Sequence, residues 1–188
     1  MEDWKRAWQS VVDAVGMDFD SRSSAPADAV EVGAIRRYVE PIELDCALHY
    51  DRAVACAYGY ADVIAPYTAS STFTIPPMWQ PGQETLFPTA DRDAQPIKSA
   101  VKPAFPDFFP PFTGYFATDI DVDFVRPIHA GERVVRRGNT LLSCEPKETR
   151  VGRGAFLKFE TEIVTDGGEL ISKMRTGMFL YTPHGEGA

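Results

Sequence analysis

Asp119-Ile120-Asp121-Val122-Asp123-Phe124-Val125-Arg126-Pro127-Ile128-His129-Ala130-Gly131-Glu132-Arg133 is the stretch that decides how this chain folds. Its first half alternates strictly: Ile120, Val122 and Phe124 against Asp119, Asp121 and Asp123. That is the period of a strand with one polar face. Pro127 and Gly131 then mark a turn, and Glu132 to Leu142 reads as the next strand. Ala155, Leu157, Phe159, Thr161 and Ile163 alternate with Lys158, Glu160 and Glu162. Asp166-Gly167-Gly168 is a hairpin signal, and Ile171 to Tyr181 returns as a last strand. The second half of the chain is therefore expected to be a long antiparallel meander. The three aspartates lack the Gly and Glu of a calcium loop, so a solvated or interfacial face is their default.

Upstream the texture is helical. Trp4, Trp8, Val11, Val12 and Val15 form one stripe at the 3.6 period, predicting an amphipathic helix over Glu2 to Val15 that stops at Gly16. Asp18 to Ala29 is a Ser-, Ala-, Asp- and Pro-rich linker. Residues 1–29 are thus expected as helix and linker, and residues 30–188 as the main domain. Val32 to Tyr38 fits a short strand or a short helix. Arg52 to Tyr58 predicts a helix ended by Gly59. Residues 74–112 read as an insertion. Nine of the fifteen prolines fall there, so a long helix is excluded. Its aromatic residues nonetheless require burial.

A formal charge of -8 on 188 residues argues against a broad nucleic-acid footprint. Cys46, Cys56 and Cys144 are scattered without CxxC spacing, as in a reduced, cytoplasmic protein. The three histidines, His49, His129 and His184, lack metal-ligand spacing, so no metal is expected. No apolar run is long enough for a membrane span.

Two stretches carry a family resemblance. Leu44-Asp45-Cys46-Ala47-Leu48-His49-Tyr50-Asp51 is followed by Ala53, Ala55, Tyr58-Gly59-Tyr60 and Ile64-Ala65-Pro66. It resembles the hydratase loop of MaoC-like enoyl-CoA hydratases, roughly G-D-x-N-P-x-H followed by an Ala-rich helix and an apolar-Ala-Pro step. Asp123 to Arg133 resembles the F-x-R-P-x-x-x-G-D-x strand and turn of the same family. The resemblance spans roughly residues 32–182. It implies an α+β hot-dog fold, a curved antiparallel sheet around a central helix, here shortened, forming half of a double hot dog.

The resemblance also says what is missing. In the family an Asp and a His five residues apart share the activation of a water and the protonation at the α-carbon. Both must reach one water, so their spacing is fixed. Aligned on His49, the Asp position is Leu44, which moves no proton, and the Asn position is Cys46. Glu43 stands for the Gly and Ala47 for the Pro. Three readings of His49 are open. It belongs to a structural turn with Asp51 as helix cap, it forms a displaced dyad with Asp45, or it touches substrate without catalysing.

The loop Lys147-Glu148-Thr149-Arg150-Val151-Gly152-Arg153-Gly154 places three cations beside two glycines on an acidic chain. It is either a solvated hairpin loop or a cradle for coenzyme A phosphates, built from Lys147, Arg150, Gly152 and Arg153. Arg126 reads as a structural feature of its strand and turn. Tyr58, Ala65, Pro66, Met78, Trp79, Phe105, Phe108, Phe109 and Phe112 are the candidate lining of a wide acyl pocket, with plain core packing as the alternative.

The pattern is most similar to the larger, non-catalytic subunit of heteromeric enoyl-CoA hydratases acting on steroid side chains. It implies a small MaoC-like partner that supplies the dyad, in a heterotetramer, with coenzyme A as part of the substrate and no other cofactor. The alternatives are a self-sufficient homodimeric hydratase or dehydratase using Asp45 and His49, and a non-catalytic hot-dog scaffold that binds an acyl thioester.

Overall fold

A computed structural model describes residues 3–20, 28–97 and 105–185. Most of the 18–29 linker and residues 98–104 of the insertion lie outside the described residues, as does Glu2. The chain forms two compact units. One holds 3–20, 105–126 and 136–185, the other 28–97 and 127–135.

The first unit is built on four antiparallel strands: β1 (Gly114–Phe124), β2 (Val134–Glu148), β3 (Gly152–Thr165) and β4 (Leu170–Pro183). Their order is β1-β4-β3-β2. Strands β2 to β4 are the expected meander, and the β3–β4 turn closes where Asp166-Gly167-Gly168 predicts it, with Gly168 N–H donating to Thr165 C=O at 2.9 Å. The departure is β1. It pairs with β4 (Asp121 opposite Arg175, Asp123 opposite Lys173), not with β2. The Pro127–Gly131 segment is therefore no hairpin but a crossover that joins opposite edges of the sheet.

The first core gathers Trp8, Val11, Ala14, Phe109, Leu141, Ala155, Leu157, Phe159 and Leu180. Each large side chain buried this way contributes about 1.5–3 kcal/mol. The expected single N-terminal helix is two: α1 (Asp3–Arg6) and α2 (Gln9–Asp13). Between them Trp8 N–H donates to Lys5 C=O at 3.2 Å, an i to i−3 bond that tightens the turn. The tightening changes the buried stripe. Trp8, Val11 and Ala14 repeat every three residues and are buried, while Val15 is left 43% exposed.

The opposite sheet face carries ion pairs. Lys158 bridges Asp119 at 3.0 Å and Asp121 at 2.8 Å. Arg175 bridges Asp123 at 2.7 Å and Glu160 at 3.0 Å. Glu162 takes Arg137 at 2.7 Å and Lys173 at 3.1 Å. The Lys158 hydrogen bond holds the Asp119 carboxyl below its usual range, and Arg137 does the same first for Glu162. Arg126 forks onto Glu169 at 2.8 and 2.7 Å, a structural clamp at the start of the crossover.

The second unit holds α3 (Val32–Val39) and α4 (Arg52–Ala57), with single 3-10 turns between and after them. The Val32 segment is thus helical, burying Ile35 and Val39. Residues 63–65 pair with 128–130: Ala65 N–H donates to Ile128 C=O and Ala130 N–H to Val63 C=O, both at 2.8 Å. Among the described residues no helix interrupts 75–113, as the prolines require. All three cysteines are free. No helix among the described residues is long and apolar enough to cross a membrane.

Candidate functional site

The loop that ends at His49 starts with an unusual backbone. Glu43 has φ 50° and ψ 39°, the left-handed conformation, and is the non-glycine residue with positive φ among those described. The alignment on His49 puts the family's Gly at this position, so the backbone geometry supports that alignment. Leu44 N–H then donates to Val39 C=O at 3.2 Å, and Cys46 N–H to Leu44 C=O at 3.0 Å. A 3-10 turn, Ala47–His49, brings the imidazole inward.

His49 is buried, and its Nδ1 lies 2.8 Å from Ile64 C=O. A carbonyl only accepts, so Nδ1 carries the proton and Nε2 is left as the basic nitrogen. The same residue returns the contact: Ile64 N–H donates to Leu48 C=O at 3.2 Å. Asp45 is exposed, and its carboxylate makes neither a hydrogen bond nor an ion pair with His49. Leu44 is half-buried. The cap read from sequence is present: Asp51 Oδ1 accepts from Ala53 N–H at 2.7 Å and Val54 N–H at 3.3 Å, starting α4. Gly59, at φ 91°, ends that helix region.

The pocket candidates of this unit fall into two groups. Ala65 and Pro66 are buried, Tyr58 is 75% exposed. Met78 and Trp79 are both exposed, and the Trp79 indole N–H donates to the carbonyls of Gln83 and Glu84. Trp79, Thr85, Leu86 and Phe87 line a shallow apolar depression of about 420 Å³.

In the first unit, Phe105, Phe108, Phe109 and Phe112 form one aromatic cluster. Centroids lie 5.4 Å apart for Phe105–Phe109, 5.3 Å for Phe105–Phe112 and 5.2 Å for Phe108–Phe109. Phe109 is 8% exposed within the core, and Phe105 and Phe112 pack against it. Phe108 is 41% exposed.

Lys147, Arg150, Gly152 and Arg153 sit together on the tight β2–β3 hairpin. Lys147 Nζ lies 5.8 Å over the Phe156 ring, Arg153 pairs with Glu148 at 3.1 Å, and Arg150 is exposed. The glycines have a packing role. A Cβ on Gly152 would strike the Thr182 carbonyl oxygen, and one on Gly154 the Leu180 carbonyl oxygen. Gly152 N–H already donates to Thr149 C=O at 3.3 Å. The hairpin therefore offers side-chain cations rather than a backbone cradle.

Sequence reasoning missed one feature of this region. Arg153 also lines a groove of about 490 Å³ with Trp4, Trp8, Pro110, Pro111 and His184. The Arg153 guanidinium lies 5.9 Å from the Trp4 ring centroid. The Trp4/Trp8 spacing was a signal of packing alone, since nothing local ties it to a hairpin far along the chain.

Comparison with family models places the chain: residues 13–174 match the FAS1-like, dehydratase domain region model, and the chain belongs to that family. A search of curated proteins found no match. Among solved structures, the ChsH1-ChsH2 complex from Mycobacterium tuberculosis is similar over 99% of this chain and 100% of the matched chain, at 21% identity and a TM-score of 0.68. A MaoC-like dehydratase aligns with 90% of this chain but 42% of its own, at 19% identity and a TM-score of 0.57. The truncated HadBC complex, a 3R-hydroxyacyl-ACP dehydratase from Mycobacterium tuberculosis, covers 87% of this chain and 99% of its own, at 15% identity and a TM-score of 0.51. The MaoC-like resemblance and the α+β hot-dog fold read from the sequence are thereby borne out.

Proposed function

We propose that this chain is the non-catalytic subunit of a heteromeric enoyl-CoA hydratase. The assembled enzyme adds water to a trans-2-enoyl-CoA with a bulky acyl group of the steroid side-chain kind. One observation carries the reading: Leu44 holds the acid-base position, Asp51 is committed to the α4 cap, and the exposed Asp45 makes no hydrogen bond or ion pair with His49. Hydration needs one group to take a proton from water and one to deliver a proton to the α-carbon. A single anchored imidazole supplies half of that. The other half, and the dyad as a unit, come from a small MaoC-like partner. The likeness to two structures whose names are those of paired chains supports a two-chain enzyme, as does the span of 42% of a longer MaoC-like chain.

In this reading coenzyme A is part of the substrate and no further cofactor takes part. Lys147, Arg150 and Arg153 meet its phosphates, and the complex works in the cytoplasm. The exposed Met78 and Trp79 and the depression beside them are the surfaces left for an acyl group, whereas Phe105, Phe109 and Phe112 are committed to the core.

The test is hydration of enoyl-CoA by the chain alone, by a MaoC-like chain with an intact D-x-x-x-x-H loop encoded beside it, and by both co-expressed. Activity confined to the pair, with higher kcat/KM on steroid-linked enoyl-CoA than on crotonyl-CoA, is expected. Turnover by the lone chain that Asp45→Ala abolishes would establish the self-sufficient enzyme instead. The free Nε2 of His49 is the observation that favours that second reading.

A further inference from the structure

Two distant parts of the chain meet at one aromatic ring. Trp4, on α1, has the Lys5 ammonium 5.3 Å and the Arg153 guanidinium 5.9 Å from its ring centroid. Both lie within reach of a cation–π attraction. Trp8, 4% exposed, and the flat rings of Pro110 and Pro111 continue the surface, and together they bound the groove of about 490 Å³. Sites for small molecules have this size and this make-up, apolar walls with a few polar groups at the rim.

The rim selects the class of molecule that fits. Flat apolar walls take a planar ring. Arg153 belongs to the hairpin that also carries Lys147 and Arg150, so an anion attached to that ring meets positive charge on a chain of net charge -8. A planar ring joined to phosphates is a nucleotide. The spacing agrees. A base held between an indole and a guanidinium needs two contacts of about 3.5 Å, about 7 Å from plane to plane. Arg153 stands 5.9 Å from the Trp4 centroid with its side chain 52% exposed, so a shift of about 1 Å makes the slot. The face of the guanidinium then stacks on the base while its edge stays able to donate to a phosphate.

One carboxylate already engages that edge. Glu148 pairs with Arg153 at 3.1 Å and lies 4.0 Å from His184 Nδ1. His184 is fixed through its other nitrogen. Nε2 lies 2.8 Å from Thr149 C=O, and a carbonyl only accepts, so Nε2 carries the proton. Glu148 is thus an internal anion at the place where a phosphate would meet Arg153.

We propose that this groove is a nucleotide subsite in which an adenine ring stacks between Trp4 and Arg153, and that Glu148 weakens binding by competing with the ligand's phosphate for Arg153. The choice of adenine rests on the coenzyme A reading above, which it extends from the phosphates to the ring. The nucleotide end of coenzyme A and a free adenine nucleotide offer the same chemistry.

The test is calorimetry on the full chain with adenosine 3′,5′-bisphosphate, ADP, coenzyme A and pyrophosphate at equal ionic strength. Fluorescence of the Trp79→Phe chain adds a local readout, since its remaining indoles, Trp4 and Trp8, both line the groove. The bisphosphate should bind at least about fivefold tighter than pyrophosphate, the low end of what a stacked base contributes. It should also quench the groove indoles. Trp4→Ala should remove that advantage, and Trp4→Phe should keep most of it. Glu148→Gln should tighten the bisphosphate by about two- to fivefold, the scale of one exposed ion pair. Coenzyme A binding tighter than ADP assigns the subsite to the substrate's nucleotide end, and ADP binding tighter assigns it to a free nucleotide. A bisphosphate no better than pyrophosphate, unquenched groove indoles, an unchanged advantage in Trp4→Ala, or weaker binding by Glu148→Gln would overturn the proposal. The ligand comparison on the unaltered chain decides even where Trp4→Ala does not fold. Failure here with hydration by the assembled pair intact strikes the subsite alone. Nucleotide binding without hydration by the pair strikes the proposed function alone.

Discussion

Replacing His49 by Asn separates its two nitrogens. The Asn amide N–H reaches roughly where Nδ1 sits, so the donation to Ile64 C=O survives, while the basic Nε2 is removed. His49→Ala removes both. Ile64 is 4% exposed, so its carbonyl is left without its partner in a buried place. The stranded acceptor costs about 1–3 kcal/mol, and lost packing of the ring adds to it. A total of about 3 kcal/mol for Ala is expected, against less than about 1 kcal/mol for Asn. For a chain of this size each kcal/mol lowers Tm by about 2–4 °C, so Ala should lower it by about 6–12 °C. Urea unfolding followed by circular dichroism gives the first number and a thermal scan the second. The kinetic arm uses the assembled enzyme. If His49 is an anchor, the Asn variant keeps activity within about threefold. If it is a base, Asn loses about 10²–10⁴-fold. An Asn variant as stable as the parent but catalytically dead would refute the non-catalytic reading. An Ala variant within about 0.5 kcal/mol of the parent would refute the anchor.

Glu43→Gly relieves a left-handed non-glycine residue and should raise stability by about 1 kcal/mol in urea titrations. Arg150→Glu with Arg153→Glu should weaken coenzyme A binding to the assembled complex by calorimetry, and the parent affinity should fall with added salt; unchanged affinity returns the hairpin to a packing role. Asp119 and Glu162 have lowered folded-state pKa values, so their contribution is present above the ordinary carboxylate values of 3.8 and 4.5 and is lost as pH falls below them. Neutralising them (Asp119→Asn, Glu162→Gln) should flatten the acid side of the stability curve measured by urea midpoints. Burial pushes the Cys144 thiol up to about 11, so a thiol reagent at pH 8 should label exposed Cys56 well before Cys144.

What the sequence made legible was local. Strands β1 and β3 follow from alternation, because a two-residue period is the side-chain period of a strand, and β4 follows from the Asp166-Gly167-Gly168 turn that sends the chain back. The Asp51 cap and the Gly59 stop need only neighbours within one helical turn. What it hid was long-range. Pro127 and Gly131 carry the chemistry of a turn, yet whether a turn closes a hairpin depends on which strand lies beside β1. That strand is β4, about fifty residues further on in the chain. The glycines at 152 and 154 look from sequence like room for a phosphate, and in space they are room for the backbone of β4. The N-terminal stripe failed differently. Trp8, Val11 and Ala14 bury on a three-residue repeat because the helix tightens at Trp8, and a 3.6-residue template assigns Val15 to the core by mistake.

The loop's own bonds fit the division of labour proposed above. Its shape rests on Leu44 N–H to Val39, Ile64 N–H to Leu48, the imidazole to Ile64 and the Asp51 cap. None of these bonds uses a side chain at position 44. A carboxylate there can be exchanged for Leu while the turn, the buried His49 and α4 stay in place. The reverse repair does not hold. Asp45 is one position late on a tightly bonded turn, whose backbone on either side is held by Cys46 N–H to Leu44 C=O and His49 N–H to Cys46 C=O, both at 3.0 Å. Under the proposed function, the loss of the acid-base pair removes the chemistry and leaves these fold-bearing bonds in place. In the proposed function the missing group comes from the partner chain, and the Leu44→Asp variant, which puts a carboxylate back at the family's position, gives the sharpest check. If the loop still holds the family's geometry, restoring the carboxylate should give the lone chain measurable hydration, and His49→Asn in that background should remove it.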